Sequence, residues 1–320
     1  MTPPLLVVGV RRSGTTLLRV MLDRHSRLAV PDESYFVPQL AHRHADPPDV
    51  AAFVDDLRRL PTLREWGVNP DDVAARLRPG QTLGDAIGAI YETYAELQGK
   101  ERWGDKTPMY MQHLPLLERL WPDARWVHLI RDGRDTAVSF LRMPAGQMTE
   151  TWAHPRTAED FACQWRNEVR AARAIGRRVG DRYLEVRYER LVEEPETELR
   201  RICEHAGLVF EERMTAYAGE VDVSAKPHQQ SLTKPPTPGL RDWRRDLPPA
   251  AAEAFEGVAG DLLAELGYDL LDPARAAGPT PRGRARIARY DALTKAYNTT
   301  AYALQRSPLW RRRHPVWARS

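Results

Sequence analysis

The sequence predicts an α/β fold, a parallel sheet flanked by helices, followed by a basic helical extension at the C-terminus. Three observations carry this. The apolar run "LLVVGV" at residues 5–10 shows no polar alternation, the mark of a strand covered on both faces. It passes through a glycine-bearing turn into an amphipathic helix. "ARWVHLIRDGRDTAVSFL" at 124–141 then repeats strand, charged turn and helix. Strands that alternate with helices build parallel sheets, and such sheets hold their ligands at the carboxyl ends of the strands.

Each element has its own signal. After the first turn, Leu17, Leu18, Met21 and Leu22 share one helix face, with Arg19, Asp23 and Arg24 opposite. In "TLGDAIGAIYETYAEL" the residues Leu83, Ile87, Ile90, Tyr94 and Leu97 recur at helical steps. A second strand is expected over Trp126 to Ile130 and a third in "RYLEVRYERLV". "EPETELRRICEHAGL" follows as a helix, with Pro195 near its first turn and Gly207 just past its end. Residues 223–248, rich in proline and polar residues, read as a long ordered loop or lid. The main domain is expected over 1–273. In 274–320 a stripe of Ile287, Tyr290, Leu293, Tyr297, Ala301 and Leu304 marks the helical extension.

Composition narrows the class. The 320 residues, 42% hydrophobic and 28% charged, suit one sizeable core. No run approaches the roughly 20 apolar residues that cross a bilayer, and the opening lacks a signal-peptide pattern. Cys163 and Cys203 show neither disulfide nor metal spacing, which points to a reducing cytoplasm. The net charge of +3 hides an asymmetry: residues 274–320 hold eleven Lys/Arg and one acid, Asp291, a net of +10 that leaves −7 for the body. An aromatic stripe at helical period favours a helix docked on the acidic body of its own subunit or of a homodimer partner. An anionic surface, with a location peripheral to the membrane, or an acidic carrier protein are the other partners such a tail fits. Nothing marks a nucleic-acid-binding fold.

"GVRRSGTT" carries the chemistry. Gly9 and Gly14 have the spacing of a phosphate-cradling, P-loop-like turn between strand and helix, where backbone N–H groups and the helix N-terminus attract an anion. The nucleotide-hydrolysing form continues with Lys and Ser/Thr; here Thr15 and Thr16 follow, while Arg12 and Ser13 supply a guanidinium and a hydroxyl. A sulfuryl group carries a single negative charge, so loop amides, hydroxyls and one or two cations suffice, and no metal is required. A P-loop kinase or NTPase with an atypical loop is one alternative, and a non-enzymatic adaptor acting through its basic tail is another.

Together, "RRSGTTLLRVMLDRH" and "LIRDGRDTAVS", about 115 residues apart, resemble the two cofactor motifs of sulfotransferases that use 3′-phosphoadenosine-5′-phosphosulfate (PAPS), most nearly those of tyrosylprotein sulfotransferases. The resemblance runs in patches from about residue 5 to 270 and implies an enzyme that moves the sulfuryl group of PAPS to an acceptor hydroxyl in line, releasing adenosine 3′,5′-bisphosphate (PAP); with the cysteine usage, a cytoplasmic, bacterial enzyme is expected. It assigns the 5′-phosphosulfate to Arg12, Ser13, Gly14, Thr15 and Thr16, and the 3′-phosphate to Arg131 and Ser139. Arg131 ends a predicted strand and Ser139 is expected about one turn into the next helix, so both can face one phosphate.

By the same resemblance Glu33 in "VPDESYF" is the base, with Asp32 its near rival, and Lys106 in "WGDKTP" stabilises the transition state. Tyr188 matches a cofactor-site tyrosine and Lys234 a late Lys-Pro segment that closes over the nucleotide, where Ser224 and Ser231 compete for one role. Read from the residues alone, Glu33 equally suits a helix start, Lys106 a solvated loop and Tyr188 a half-buried strand position. His25, His113 and His128 read as structural. The acceptor stays open among sugar, lipid, peptide tyrosine and natural product.

Overall fold

A computed structural model describes residues 2–143, 154–216 and 242–306, with the side chains of 301, 302, 305 and 306 left aside. Among these, five strands form one parallel sheet: β1 (Leu5–Val8), β2 (Leu28–Ala29), β3 (Arg102–Asp105), β4 (Arg125–Ile130) and β5 (Tyr183–Arg187), in the order β2-β3-β1-β4-β5. β1 lies centrally, pairing Leu6 with Asp105 of β3 on one side and Val8 with His128 of β4 on the other. All four of its residues are buried, as a strand without polar alternation requires.

The helices are α1 (Thr15–Asp23), α2 (Val37–Arg43), α3 (Val50–Leu57), α4 (Pro61–Glu65), α5 (Pro70–Ala74), α6 (Leu83–Leu97), α7 (Leu114–Leu120), α8 (Gly133–Leu141), α9 (Ala158–Val179), α10 (Tyr188–Glu193), α11 (Pro195–Ala206), α12 (Trp243–Asp246), α13 (Pro249–Glu265) and α14 (Pro281–Arg306). Two core clusters cover the two faces of the sheet. One joins α1 and α11 to Leu5 and Val7; the other joins α6, α9 and α13 to Leu6 and Val8. No described helix is long and apolar enough to cross a membrane.

Several expectations need correction. β2 and β3 carried no strand signal in the sequence: the first has two residues, and the second contains Arg102 and Asp105, whose side chains are buried on tertiary partners. "RYLEVRYERLV" divides, the strand ending at Arg187 and α10 beginning at Tyr188, so Tyr188 opens a helix rather than lying in a strand. α12 occupies part of the expected 223–248 loop, and α13 begins directly after it. Residues 217–241, with Lys234, Ser224 and Ser231, lie outside the described residues.

The extension docks on the body. A Cβ on Gly283 of α14 would come within 2.1 Å of the Gly257 carbonyl oxygen on α13, so the helices cross at backbone contact. Arg282 reaches Glu159 at 3.1 Å and Arg286 reaches Asp160 at 2.8 Å, acidic groups at the start of α9. Ile287 and Tyr290 rest on the core, whereas Leu293 and Leu304 of the same stripe are exposed.

Gly283→Val would force this crossing apart. The expected outcome is a loss of about 1–3 kcal/mol in urea unfolding, with faster tryptic cleavage at Arg284, Arg286 and Arg289 than in the parent. Unchanged cleavage would show that α14 does not depend on this contact.

Candidate active site

The five described strands end on the same edge, and each is followed by a residue singled out above. β1 leads to the 12–16 loop, β2 to Glu33, β3 to Lys106, β4 to Arg131 and β5 to Tyr188. β1 and β4 are hydrogen-bonded neighbours, and the chain turns to opposite sides of the sheet from them, the switch point at which α/β sheets bind ligands.

Gly14 caps α1 in the left-handed region, φ 92°, and no side chain caps the first turn, leaving its N–H groups directed at the loop. A Cβ there would stand 2.3 Å from the Tyr188 ring, so glycine is needed for both conformation and space. Arg12, also left-handed at φ 73°, donates from Nε to Ser139 Oγ at 3.1 Å. The two motifs therefore touch. Ser139 is the seventh residue of α8, nearly two turns in rather than one.

Arg131 lies 4.4 Å over the Tyr188 ring and 3.9 Å from Asp135, one turn into α8. Its Nε and the hydroxyl of buried Ser13 have no hydrogen-bond partner among the described residues. Buried polar atoms are seldom left so, and two of them beside an uncapped helix start fit an anion supplied by a ligand. Arg134, three residues on, differs. It is saturated by Asp132 at 2.7 Å, Glu256 at 2.6 Å and the Trp243 ring at 3.8 Å, a structural role.

On the other side of the loop, Lys106 is buried at the end of β3, not solvated. Its Nζ donates to Glu33 Oε1 at 2.6 Å and reaches Thr16 Oγ1 at 3.4 Å. Burial pushes the ammonium below its ordinary pKa, and the Glu33 carboxylate acts against that shift. Glu33 lies in the segment before α2 rather than at a helix start, and Tyr35 donates to its other oxygen. Asp32 pairs with Arg19 at 3.3 Å, so only Glu33 of the two acids meets Lys106.

Sequence reasoning missed two buried carboxyls near these groups. Asp105, under Lys106, is pushed up to about 6 by burial, against the hydroxyls of Ser34, Tyr91 and Thr107. Glu168 on α9 is pushed up to about 7 by burial, against a hydrogen bond from Gln164 and the charge of Arg11. Neither had a signal, because an acid among charged and polar neighbours, as in "ERWGDKTP" and "QWRNEVR", reads as a surface residue. The histidines behave as structural. His128 is fully buried against the Tyr183 hydroxyl, and burial pushes His113 down to about 4.

The chain is similar to known proteins. Residues 3–212 match the family described as "Sulfotransferase family". The nodulation protein NoeE of Sinorhizobium fredii is 28% identical, over 89% of this chain and 70% of its own length. Protein-tyrosine sulfotransferase A of Caenorhabditis elegans is 25% identical, over 84% of this chain and 68% of its own. The solved sulfotransferase domain of the Synechococcus PCC 7002 olefin synthase is 26% identical, with a TM-score of 0.57, covering 84% of this chain and 95% of that one.

Two outcomes are expected from this geometry. Gly14→Ala strains the loop and displaces Tyr188, lowering stability in urea by about 1–3 kcal/mol; an unchanged midpoint would refute the close approach. For Glu168, a folded-state pKa raised above the unfolded one means that its contribution is full at low pH and is lost as pH rises from about 4.5 through about 7. Glu168→Gln should therefore gain stability relative to the parent between pH 4.5 and pH 8, by about 3 kcal/mol at roughly 1.4 kcal/mol per pKa unit. Parallel thermal-unfolding curves across that range would contradict it.

Proposed function

This chain belongs to the sulfotransferase family, and on that premise we propose that it transfers the sulfuryl group of PAPS to an acceptor hydroxyl, with Glu33 as base. The observation that carries this reading is the bond from Arg12 to Ser139 at 3.1 Å, which joins the loop suited to the phosphosulfate with the helix suited to the 3′-phosphate.

The loop amides, Arg12, Ser13, Thr15 and Thr16 hold the 5′-phosphosulfate at the start of α1, with Gly14 giving the backbone its close approach. Arg131 and Ser139 take the 3′-phosphate, the Tyr188 ring backs the Arg131 guanidinium, and Lys234 is assigned to the segment that closes over the nucleotide. Before the donor arrives, Lys106 and Glu33 neutralise each other at 2.6 Å. An anion beside Thr16 draws Lys106 toward itself and frees the carboxylate. Glu33 then accepts the proton of the acceptor hydroxyl as its oxygen forms a bond to sulfur. The bond between sulfur and the bridging oxygen breaks, its electron pair passes to the 5′-phosphate, and Lys106 with the loop stabilises that charge as PAP forms. The acceptor is a hydroxyl of a sugar, lipid, peptide tyrosine or natural product. The body takes up the described part of the basic extension, through Glu159 and Asp160, as its own partner.

Glu33→Gln should lower sulfuryl transfer from labelled PAPS, assayed against a panel of sugar, fatty-alcohol, tyrosine-peptide and phenol acceptors, by about 10²–10⁴-fold, while PAP still binds in calorimetry. Full turnover in that variant would remove Glu33 from the role. Tighter binding of ATP with Mg²⁺ than of PAP by the parent would overturn the donor assignment.

A further inference from the structure

Glu33 stands in a segment with no regular structure, yet its neighbour Ser34 is fully buried. Ser34 Oγ donates to Asp105 Oδ2 at 2.8 Å, and its backbone N–H donates to Thr107 Oγ1 at 3.1 Å. Two further donors converge on the same Asp105 oxygen, the Tyr91 hydroxyl at 2.9 Å and the Thr107 hydroxyl at 3.2 Å. The Tyr110 hydroxyl lies 2.6 Å from Ser34 Oγ and accepts from the Val37 N–H at 3.1 Å, where α2 begins. Donor directions close consistently. Val37 N–H gives to Tyr110, Tyr110 to Ser34, and Ser34 to Asp105, the acceptor at which the chain of bonds ends. Burial and the Asp105 charge push both tyrosines well above their ordinary pKa, so they stay protonated donors. Tyr91 is held rigid by stacking on Trp103, with ring centroids 4.5 Å apart.

The pairing has a register. Asp105 binds Ser34, and one residue along, Lys106 binds Glu33. Asp105 is itself fixed in the sheet opposite Leu6 of β1. We propose that Asp105 is a positioning residue for sulfuryl transfer: through Ser34 it fixes the 33–35 segment to the sheet and so sets Glu33 against Lys106. A carboxylate suits this place because one oxygen can accept several hydroxyl donors, which a neutral side chain does less well. The inference rests on the assignment of Glu33 as the base.

The test compares Asp105→Asn, Ser34→Ala, Glu33→Gln and the Asp105→Asn/Glu33→Gln double variant. In Asp105→Asn, kcat with whichever panel acceptor gains label should fall about tenfold or more, with KM for PAPS changed less than about twofold. Ser34→Ala, which leaves the carboxylate and the tyrosine in place, should shift kcat in the same direction. In the Glu33→Gln background, Asp105→Asn should cost nothing further, because a residue that acts through Glu33 has nothing left to position. An additive loss would show a general structural role and overturn the proposal. Hydrogen exchange reads the anchor without activity: protection of the Ser34 and Val37 amides should drop at least tenfold in Asp105→Asn and persist in Glu33→Gln. Retained protection in Asp105→Asn sinks the anchor whatever Glu33 does. Full turnover in Glu33→Gln with protection lost in Asp105→Asn sinks the base assignment instead, and leaves Asp105 holding a segment that is not catalytic.

Discussion

The parallel pairing of β1 between β3 and β4 is the constraint on which the site depends. Consecutive residues in a strand advance about 3.3 Å, so a two-residue slip of β4 along β1 would carry Arg131 and α8 some 6–7 Å. That displacement is about twice the Arg12 to Ser139 distance, and the contact could not survive it. The same holds on the other side, where the pairing of Leu6 with Asp105 decides whether Lys106 emerges beside the 12–16 loop. Register in such a sheet is enforced by burial, since both faces of β1 are covered by separate core clusters.

The electrostatics follow from where those strands stop. A buried cation is costly unless paired. Arg134 meets that requirement internally with two carboxylates and a ring, and so fixes α8 to α13. Arg131 is only partly satisfied, with an orphan Nε, a carboxylate at the limit of ion-pair distance and an aromatic face. Two guanidiniums three residues apart thus have opposite characters, one fully paired and one only partly paired among the described residues. Lys106 is intermediate, buried and paired with Glu33 at 2.6 Å.

Much of this was legible in the sequence, because the two loop motifs follow strands with strong apolar signals. The 12–16 loop, Arg131 and Ser139 fall together as the order of strands, turns and helices suggested, and Glu33 meets Lys106. The choice of Glu33 over Asp32 was not readable from residue type. The two acids part in the structure: Glu33, next to buried Ser34, pairs with Lys106, and Asp32 pairs with Arg19. β3 stayed hidden because its polar residues are buried on partners from other elements, Arg102 on the Ala206 carbonyl and Asp105 on the Ser34 and Tyr91 hydroxyls. Tyr188 was misplaced because the chain passes from β5 into α10 without a turn residue to mark the change.

The basic extension connects to the site through α9. Its arginines pair with Glu159 and Asp160 in the first turn of that helix, where acidic side chains also complement the helix dipole. One turn further along α9, the Trp165 indole donates to the Arg131 carbonyl at 3.2 Å and packs against Phe255 of α13. A Cβ on Gly133, which opens α8, would fall within 2.5 Å of Phe255 and 2.7 Å of Trp165, so there is no slack between these helices and the strand end that carries Arg131. α13, which α14 crosses at Gly257, also supplies the Glu256 that holds Arg134. The helices that support the extension are therefore the ones that fix the turn after β4. This gives the charge asymmetry of the sequence a mechanical reading: the described arginines at the start of the extension meet acidic groups of the body, on helices that also back the turn after β4.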